Sequence, residues 1–251
     1  MTGAASPPAV ALDRVTVTYG ATTALRDVTL QVAVGERVAV LGPSGAGKTT
    51  LLGLLNGTVR PDSGTVRVLG QPVAQRGPQL RQLRTRVGVT PQRAELVGPL
   101  RVVHNVDAGQ LARWSLPRAA WSLLRPRGSA QARAALGQVG LGDRIYDRTD
   151  TLSSGQQQRV ALARLLVQDP ELLLADEPVS GLDPALAAHV LGLLSDLPGS
   201  ARTLLTSLHD PELAARSCDR LLGLRDGQLV LDAPAAALPA GALAALYGAS
   251  A

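Results

Sequence analysis

The sequence predicts an α/β protein with a mainly parallel sheet at its core, an antiparallel β-rich subdomain at the N-terminus and an inserted helical subdomain. Three observations carry that prediction. From Ser154 onward, apolar runs of strand length alternate with segments of helical period, the pattern of a parallel sheet joined by crossover helices. An apolar run over 37–41 leads straight into a Gly-rich loop and then a helix. Before that run, apolar residues recur with period two.

Taken in order, Leu12, Val15, Val17 and Tyr19 alternate with polar residues, and Val28, Leu30, Val32 and Val34 do so again. A helix is expected over 49–55, stopped by Asn56-Gly57, and a strand over 65–69. The stretch from about 72 to 150 is rich in Arg, Ala and Gln and holds a single strand candidate, 87–90. We read it, with the following helix to 168, as the inserted helical subdomain. Helices over 156–167, 184–197 and 211–217 then alternate with strands over 172–175, 203–207 and 220–224. The Ala-rich stretch 233–251 is expected to be a terminal helix. The whole forms one domain, 9–251, behind a flexible stretch, 1–8.

A hydrophobic content of 45% over 251 residues is ample for one large core. No apolar run reaches the 18 or more residues of a bilayer span, and no basic stretch followed by an apolar core opens the chain, so cytoplasmic residence is expected. The lone cysteine, Cys218, excludes an intrachain disulfide and reads as a small buried hydrophobe. The net charge of +5 is dispersed along the chain rather than massed in one run. Of the 25 basic residues only Lys48 is a lysine, which marks a position where a compact ammonium is needed and a planar guanidinium does not fit.

That lysine closes Gly42-Pro43-Ser44-Gly45-Ala46-Gly47-Lys48-Thr49, which fits the phosphate-binding loop at every fixed position and lies between an apolar strand and a helix. In such a loop the backbone N–H groups turn inward around a polyphosphate and the helix start adds partial positive charge. Lys48 would reach the β and γ phosphates, and Thr49, followed by Thr50, would ligate Mg²⁺. A Gly-rich turn with an incidental lysine is the bland alternative. Further on, the apolar run 172–175 ends in Asp176-Glu177, and the carboxyl ends of parallel strands line the ligand crevice. Asp176 would hold Mg²⁺ and Glu177 would polarise an attacking water. An isolated Asp-Glu pair is more often a solvated strand end.

Leu152-Ser153-Ser154-Gly155-Gln156 fits a capping box in which Ser153 and Gln156 open a helix, a feature that is usually only structural. In this order, however, it resembles the signature motif of ATP-binding-cassette (ABC) proteins. The resemblance extends along the chain from Tyr19 to His209. Gln92 matches that family's glutamine loop, which senses Mg²⁺ and the permease; Ser180-Gly181-Leu182-Asp183 matches its dimer-contact loop; His209 matches its switch histidine; Tyr19 stands where the family stacks an aromatic on adenine. Singly, each of these is an ordinary loop, cap or packing residue. The resemblance implies a P-loop NTPase cassette that binds ATP and Mg²⁺, with Lys48, Glu177 and His209 catalytic. It also implies a homodimer in which Ser153, Ser154, Gly155 and Gln156 of one copy face the nucleotide held by the other.

A narrower likeness, to the ATPases of phosphonate importers, rests on Leu96-Val97-Gly98 with Asn105-Val106, on Trp121-Ser122-Leu123-Leu124, on Leu174 through Val179, on Ser207-Leu208-His209 and on Ala245-Leu246-Tyr247-Gly248. It implies integral membrane permease subunits, an extracytoplasmic solute-binding protein, peripheral attachment to the inner face of the membrane, and no nucleic acid partner. Two positions depart from the family pattern. Ser154 replaces its glycine, which predicts slower turnover, and Thr90-Pro91 precede Gln92 where an aromatic is usual, which bears on permease coupling. The cluster Arg113, Trp114, Arg118, Trp121, Arg125 and Arg127 reads either as a contact for a permease loop or lipid head groups, or as a solvated helix with two half-buried tryptophans. The rival class is a soluble ABC-type ATPase acting on nucleic acid or ribosomes; such proteins generally carry two cassettes in one chain, coiled coils or zinc modules. An inactive structural subunit is disfavoured by the presence of Lys48, Asp176, Glu177 and His209.

Overall fold

The computed structural model describes residues 7–90, 95–114, 130–179, 184–195, 202–238 and 241–248. Two sheets organise them. The first is antiparallel and pairs β1 (Val10–Tyr19) with β2 (Thr22–Val32) and with β4 (Ser63–Val68), which in turn carries β5 (Gln71–Pro72). In β1 the buried positions are Val10, Leu12, Val15 and Val17, a series whose period slips by one between Leu12 and Val15. The slip coincides with a register shift against β2 and with Arg14 at φ 47°, so a bulge absorbs the extra residue and both halves of the strand keep their apolar face inward.

The second sheet has the order β10-β9-β3-β8-β7-β6: β3 (Arg37–Leu41), β6 (Val87–Thr90), β7 (Leu172–Asp176), β8 (Thr203–Ser207), β9 (Arg220–Arg225) and β10 (Gln228–Pro234). All neighbours are parallel except β10, which runs back along β9. β7 and β8 are buried at every position, as expected for strands covered on both faces. Alternate residues serve different cores. Val38, Val40, Leu172, Leu174, Leu205 and Leu222 pack with the antiparallel sheet and α1 (Lys48–Leu55), whereas Ala39, Leu41, Leu173, Ala175, Leu204 and Leu221 face the helices on the other side.

α2 (Pro78–Arg86) precedes β6, so the strand that lies inside the stretch 72–150 joins the core sheet as its edge. α3 (Val102–Asp107), a 3-10 turn, α4 (Ala130–Gln138) and α5 (Ser154–Gln168) follow as a helical layer packed about α5. α6 (Pro184–Ser195) and α7 (Pro211–Ser217) are the crossovers before β8 and β9. One expectation is corrected. The stretch from Ala233 is not a single terminal helix: β10 runs through Pro234, a short 3-10 turn follows, and only α8 (Ala242–Tyr247) is α-helical. Asp226-Gly227, both at positive φ, turn β9 into β10, and pairing with β9 outweighs the helix propensity of alanine at Ala233.

Candidate functional site

β3, β7 and β8 end side by side, and the site is built where they end. Beyond β3 the chain turns at Gly42 (φ 145°), where a Cβ would lie 2.1 Å from the Leu224 carbonyl oxygen, and re-enters a helix at Gly47 (φ 105°), where a Cβ would lie 2.4 Å from that of Ala24. Both positions exclude any side chain, by backbone conformation and by contact with backbone atoms. Gly47 is also the N-cap of α1 and offers no side-chain cap, which leaves the first N–H groups of that helix for an anion.

Lys48 lies folded into this loop, 6% exposed, with Nζ donating to the carbonyls of Gly42 (2.7 Å) and Pro43 (3.0 Å). Burial pulls its pKa down, while the nearby carboxylates of Glu177 and Asp176 act in the opposite sense. Two carbonyls thus hold the Lys48 ammonium inside the loop.

The carboxylates arrive from β7. Thr49 Oγ1 donates to Asp176 Oδ2 at 2.8 Å, and Ser207 Oγ, from the end of β8, donates to Asp176 Oδ1 at 2.6 Å. Glu177 follows at φ 48°, a left-handed conformation that costs a non-glycine residue roughly 1–3 kcal/mol and that concentrates at functional sites. Its N–H donates to Ser207 Oγ (2.9 Å), and its Oε1 lies 2.5 Å from His209 Nε2. The His209 side chain is 53% exposed, so the Glu177–His209 pair stands at the edge of the site next to solvent. Lys48, Thr49, Asp176, Glu177 and His209 are thus brought together as the sequence suggested. Ser207 is the residue that sequence reading missed. Its signal was its parity with Leu205 at the end of an apolar strand, which aims its side chain at the same face as α1.

The remaining candidates are dispersed. Tyr19 ends β1, 54% exposed, on the hairpin whose Ala24 carbonyl abuts Gly47. Ser153, Ser154, Gly155 and Gln156 begin α5, where the capping box is formed in full: Gln156 N donates to Ser153 Oγ (3.3 Å) and Ser153 N to Gln156 Oε1 (3.0 Å). Two residues on, Gln158 Nε2 donates to the carbonyl of Pro178 (2.9 Å), which ties α5 to the residue after Glu177. Gln92 and Asp183, like Arg118, Trp121, Arg125 and Arg127, lie outside the described residues. Cys218 is buried, and burial pushes its thiol up to about 12, as befits a packing residue.

A cleft of about 840 Å³ opens beside Thr49 and Asp176 and runs past Arg84, Glu95, Leu111 and Arg164. Among the described residues, no group of three or more His, Cys, Asp or Glu side chains gathers to hold a metal. The Thr49 hydroxyl and the Asp176 carboxylate are oxygen donors suited to Mg²⁺, which is normally bound by one or two carboxylates together with water and substrate phosphates. Such a donor set fits a metal that arrives with a nucleotide.

The family model described as ABC transporter matches residues 25–180. The Phosphonates import ATP-binding protein PhnC of Anaeromyxobacter dehalogenans is 49% identical over 241 residues, 96% of this chain and 48% of that protein, so the chain spans about half its length. Its counterpart in Pseudomonas fluorescens is 46% identical over 226 residues, 89% of this chain and 85% of that one. Among solved structures, cbiO1 of Clostridium perfringens, part of the ABC transporter complex cbiONQ, aligns with TM-score 0.77 and 27% identity over 91% of this chain and 89% of that one. The dimeric post-hydrolysis state of the ATP-binding cassette MJ0796, bound to ADP and Pi, aligns with TM-score 0.76 and 27% identity over 91% of this chain and 100% of the other.

Proposed function

This chain belongs to the ABC transporter family, and from that premise we propose that it binds and hydrolyses ATP to drive import through a separate membrane permease, with a phosphonate or related phosphorus oxyanion as cargo. The observation that carries hydrolysis is the bonded constellation at the ends of β7 and β8, where Glu177, beside His209, directly follows Asp176, which is joined to the phosphate-loop residue Thr49. The cargo reading is supported by the names of the relatives, which are phosphonate import proteins. The same names give no support to action on nucleic acid or ribosomes.

In this reading Lys48 and the N–H groups of 42–49 hold the β and γ phosphates, and Tyr19 stacks on the adenine. Thr49, Asp176 and Gln92 would hold Mg²⁺, which would supply neutralisation of charge on the transferred phosphoryl group. Glu177 polarises a water for attack on the γ-phosphorus, the bond from phosphorus to the β,γ-bridging oxygen breaks, and ADP and phosphate leave; His209 holds the Glu177 carboxylate and faces the γ-phosphate. Residues 9–251 act as one ATPase domain, in which α5 and the helices before it carry Ser153–Gln156 to the nucleotide of a second copy, with Asp183 at the contact. Two copies close head to tail and pull on the permease, at the inner face of the membrane, with a solute-binding protein delivering cargo from outside. Among the described residues no helix is long and apolar enough to cross a membrane.

The test is ATPase activity of the chain reconstituted with its permease in vesicles, with and without binding protein loaded with a phosphonate. Stimulation by the phosphonate but not by sulfate is the expected result. ATP turnover indifferent to phosphorus oxyanions would overturn the cargo assignment.

A further inference from the structure

Ser207 is the last residue of β8, and parallel register sets it directly beside Asp176 on β7 and Val40 on β3, the strand that feeds the phosphate loop. Thr203, Leu205 and Ser207 share one face of β8, as Leu172, Leu174 and Asp176 share one face of β7. Leu205, Leu172 and Leu174 lie in the core beneath α1, so the polar ends of both series emerge at its N-terminus. The Ser207 side chain is fully buried, and its single hydroxyl has both capacities engaged: the O–H donates to Asp176 Oδ1 and the oxygen accepts from Glu177 N–H.

We propose that Ser207 is a positioning residue for the ATPase reaction, one hydroxyl that sets the Asp176 carboxylate for Mg²⁺ and at the same time holds the Glu177 backbone in its left-handed turn. This rests on the ATPase reading above. Asp176 has two carboxylate oxygens: Ser207 occupies Oδ1 from the buried side, and Oδ2 is thereby turned toward Thr49, where both oxygens meet on one side of the cleft. Without the hydroxyl the carboxylate could rotate and present either oxygen. The second bond acts on the next residue. A glutamate at φ 48° is strained, and the conformation persists only where its surroundings over-determine it. The bond from its own N–H to Ser207 is such a determinant, and the Glu177 carboxylate reaches His209 from that backbone. Metal holding and water activation are thus coupled through one oxygen atom, which neither residue could achieve alone.

The experiment compares wild-type protein with Ser207→Ala and Ser207→Thr, following the affinity of a fluorescent ATP analogue in EDTA and across a Mg²⁺ titration, together with steady-state ATPase. Affinity in EDTA should match wild type in both variants, because the phosphate loop is untouched. In Ser207→Ala the Mg²⁺ concentration for half-maximal tightening should rise about tenfold, and kcat should fall by about 10–100-fold, the scale seen when the partner that orients a metal ligand is removed. Ser207→Thr, which keeps the hydroxyl, should restore the Mg²⁺ response. A folded Ser207→Ala protein with the wild-type Mg²⁺ midpoint would overturn the inference, as would a loss of affinity in EDTA equal to that in Mg²⁺, since a merely structural role would lower both together. Wild-type protein that binds no MgATP would overturn the ATPase reading as well, so the two failures are distinguishable.

Discussion

The ends of β7 and β8 and the start of α5 both gather hydroxyls and backbone N–H groups into hydrogen-bonded sets, yet they are finished in opposite ways. At the strand ends the polar groups point at one another across different elements: Thr49 to Asp176, Ser207 to Asp176, Glu177 to Ser207, and Glu177 to His209. Three segments far apart in sequence, at 49, 176–177 and 207–209, are needed to make that cluster. At the start of α5, Ser153 and Gln156 satisfy each other within four residues of chain. One region is assembled by the fold of a single copy, whereas the other is a complete, exposed helix cap, and its part in the proposed chemistry comes from the copy opposite.

That contrast ranks the expected effects of mutation. The largest belongs to Glu177→Gln, which keeps the fold and ATP binding but removes the group that polarises water. A fall in kcat of about 10²–10⁴ is expected, with a closed dimer trapped in MgATP and visible by size-exclusion chromatography; turnover at the wild-type rate would remove Glu177 from the mechanism. Next comes Lys48→Arg. The guanidinium keeps the charge but not the compact shape that two loop carbonyls now enclose. A loss of ATP affinity of about 10–100-fold, measured by isothermal titration, corresponds to one charge-assisted hydrogen bond worth roughly 1.5–3 kcal/mol.

On the α5 side the effects on the free subunit should be smaller. Ser153→Ala removes an N-cap and should lower stability by about 1 kcal/mol in chemical denaturation, without changing the affinity of the monomer for nucleotide. If that variant binds ATP more weakly as a monomer, the two regions are not separate. Ser154→Gly sits at the end of the scale. Ser154 begins α5 and is absent from the residues with positive φ, so its backbone makes no demand for glycine, and what remains is a Cβ and a hydroxyl at the closing surface. A rise in ATPase rate of less than about tenfold is expected, the range of one net hydrogen bond. A clear fall would make the serine hydroxyl a working ligand.

The contrast also explains what could be read from sequence. Lys48, Asp176 and Glu177 were legible because each belongs to a fixed local pattern that follows an apolar run, and the strands 37–41, 87–90 and 203–207 have the bounds their apolar residues suggested. The Ser153–Gln156 cap was legible because it is local. Ser207 was not, since its meaning depends on the parallel register that sets β8 against β7, a contact between segments about thirty residues apart that no window of sequence contains. β10 was missed for a different reason. Asp226-Gly227 is a strong hairpin signal, but the alanines that follow favour helix, and only pairing with β9 decides between them. Arg14 likewise makes sense of the broken alternation in β1 only once the bulge is seen.

Lys48 of one copy and Ser153 of the other are proposed to serve the same nucleotide, and mixed dimers test that pairing. Lys48→Ala and Ser153→Arg should each abolish ATPase activity as homodimers. Mixed in equal amounts, with thermal melting used to show that both are folded, they should regain activity: in the heterodimer one site combines the intact Lys48 of the second chain with the intact Ser153 of the first. If both residues instead served a nucleotide within one chain, every chain in the mixture would carry a lesion in its only site. A mixture as inactive as its components would contradict the head-to-tail account.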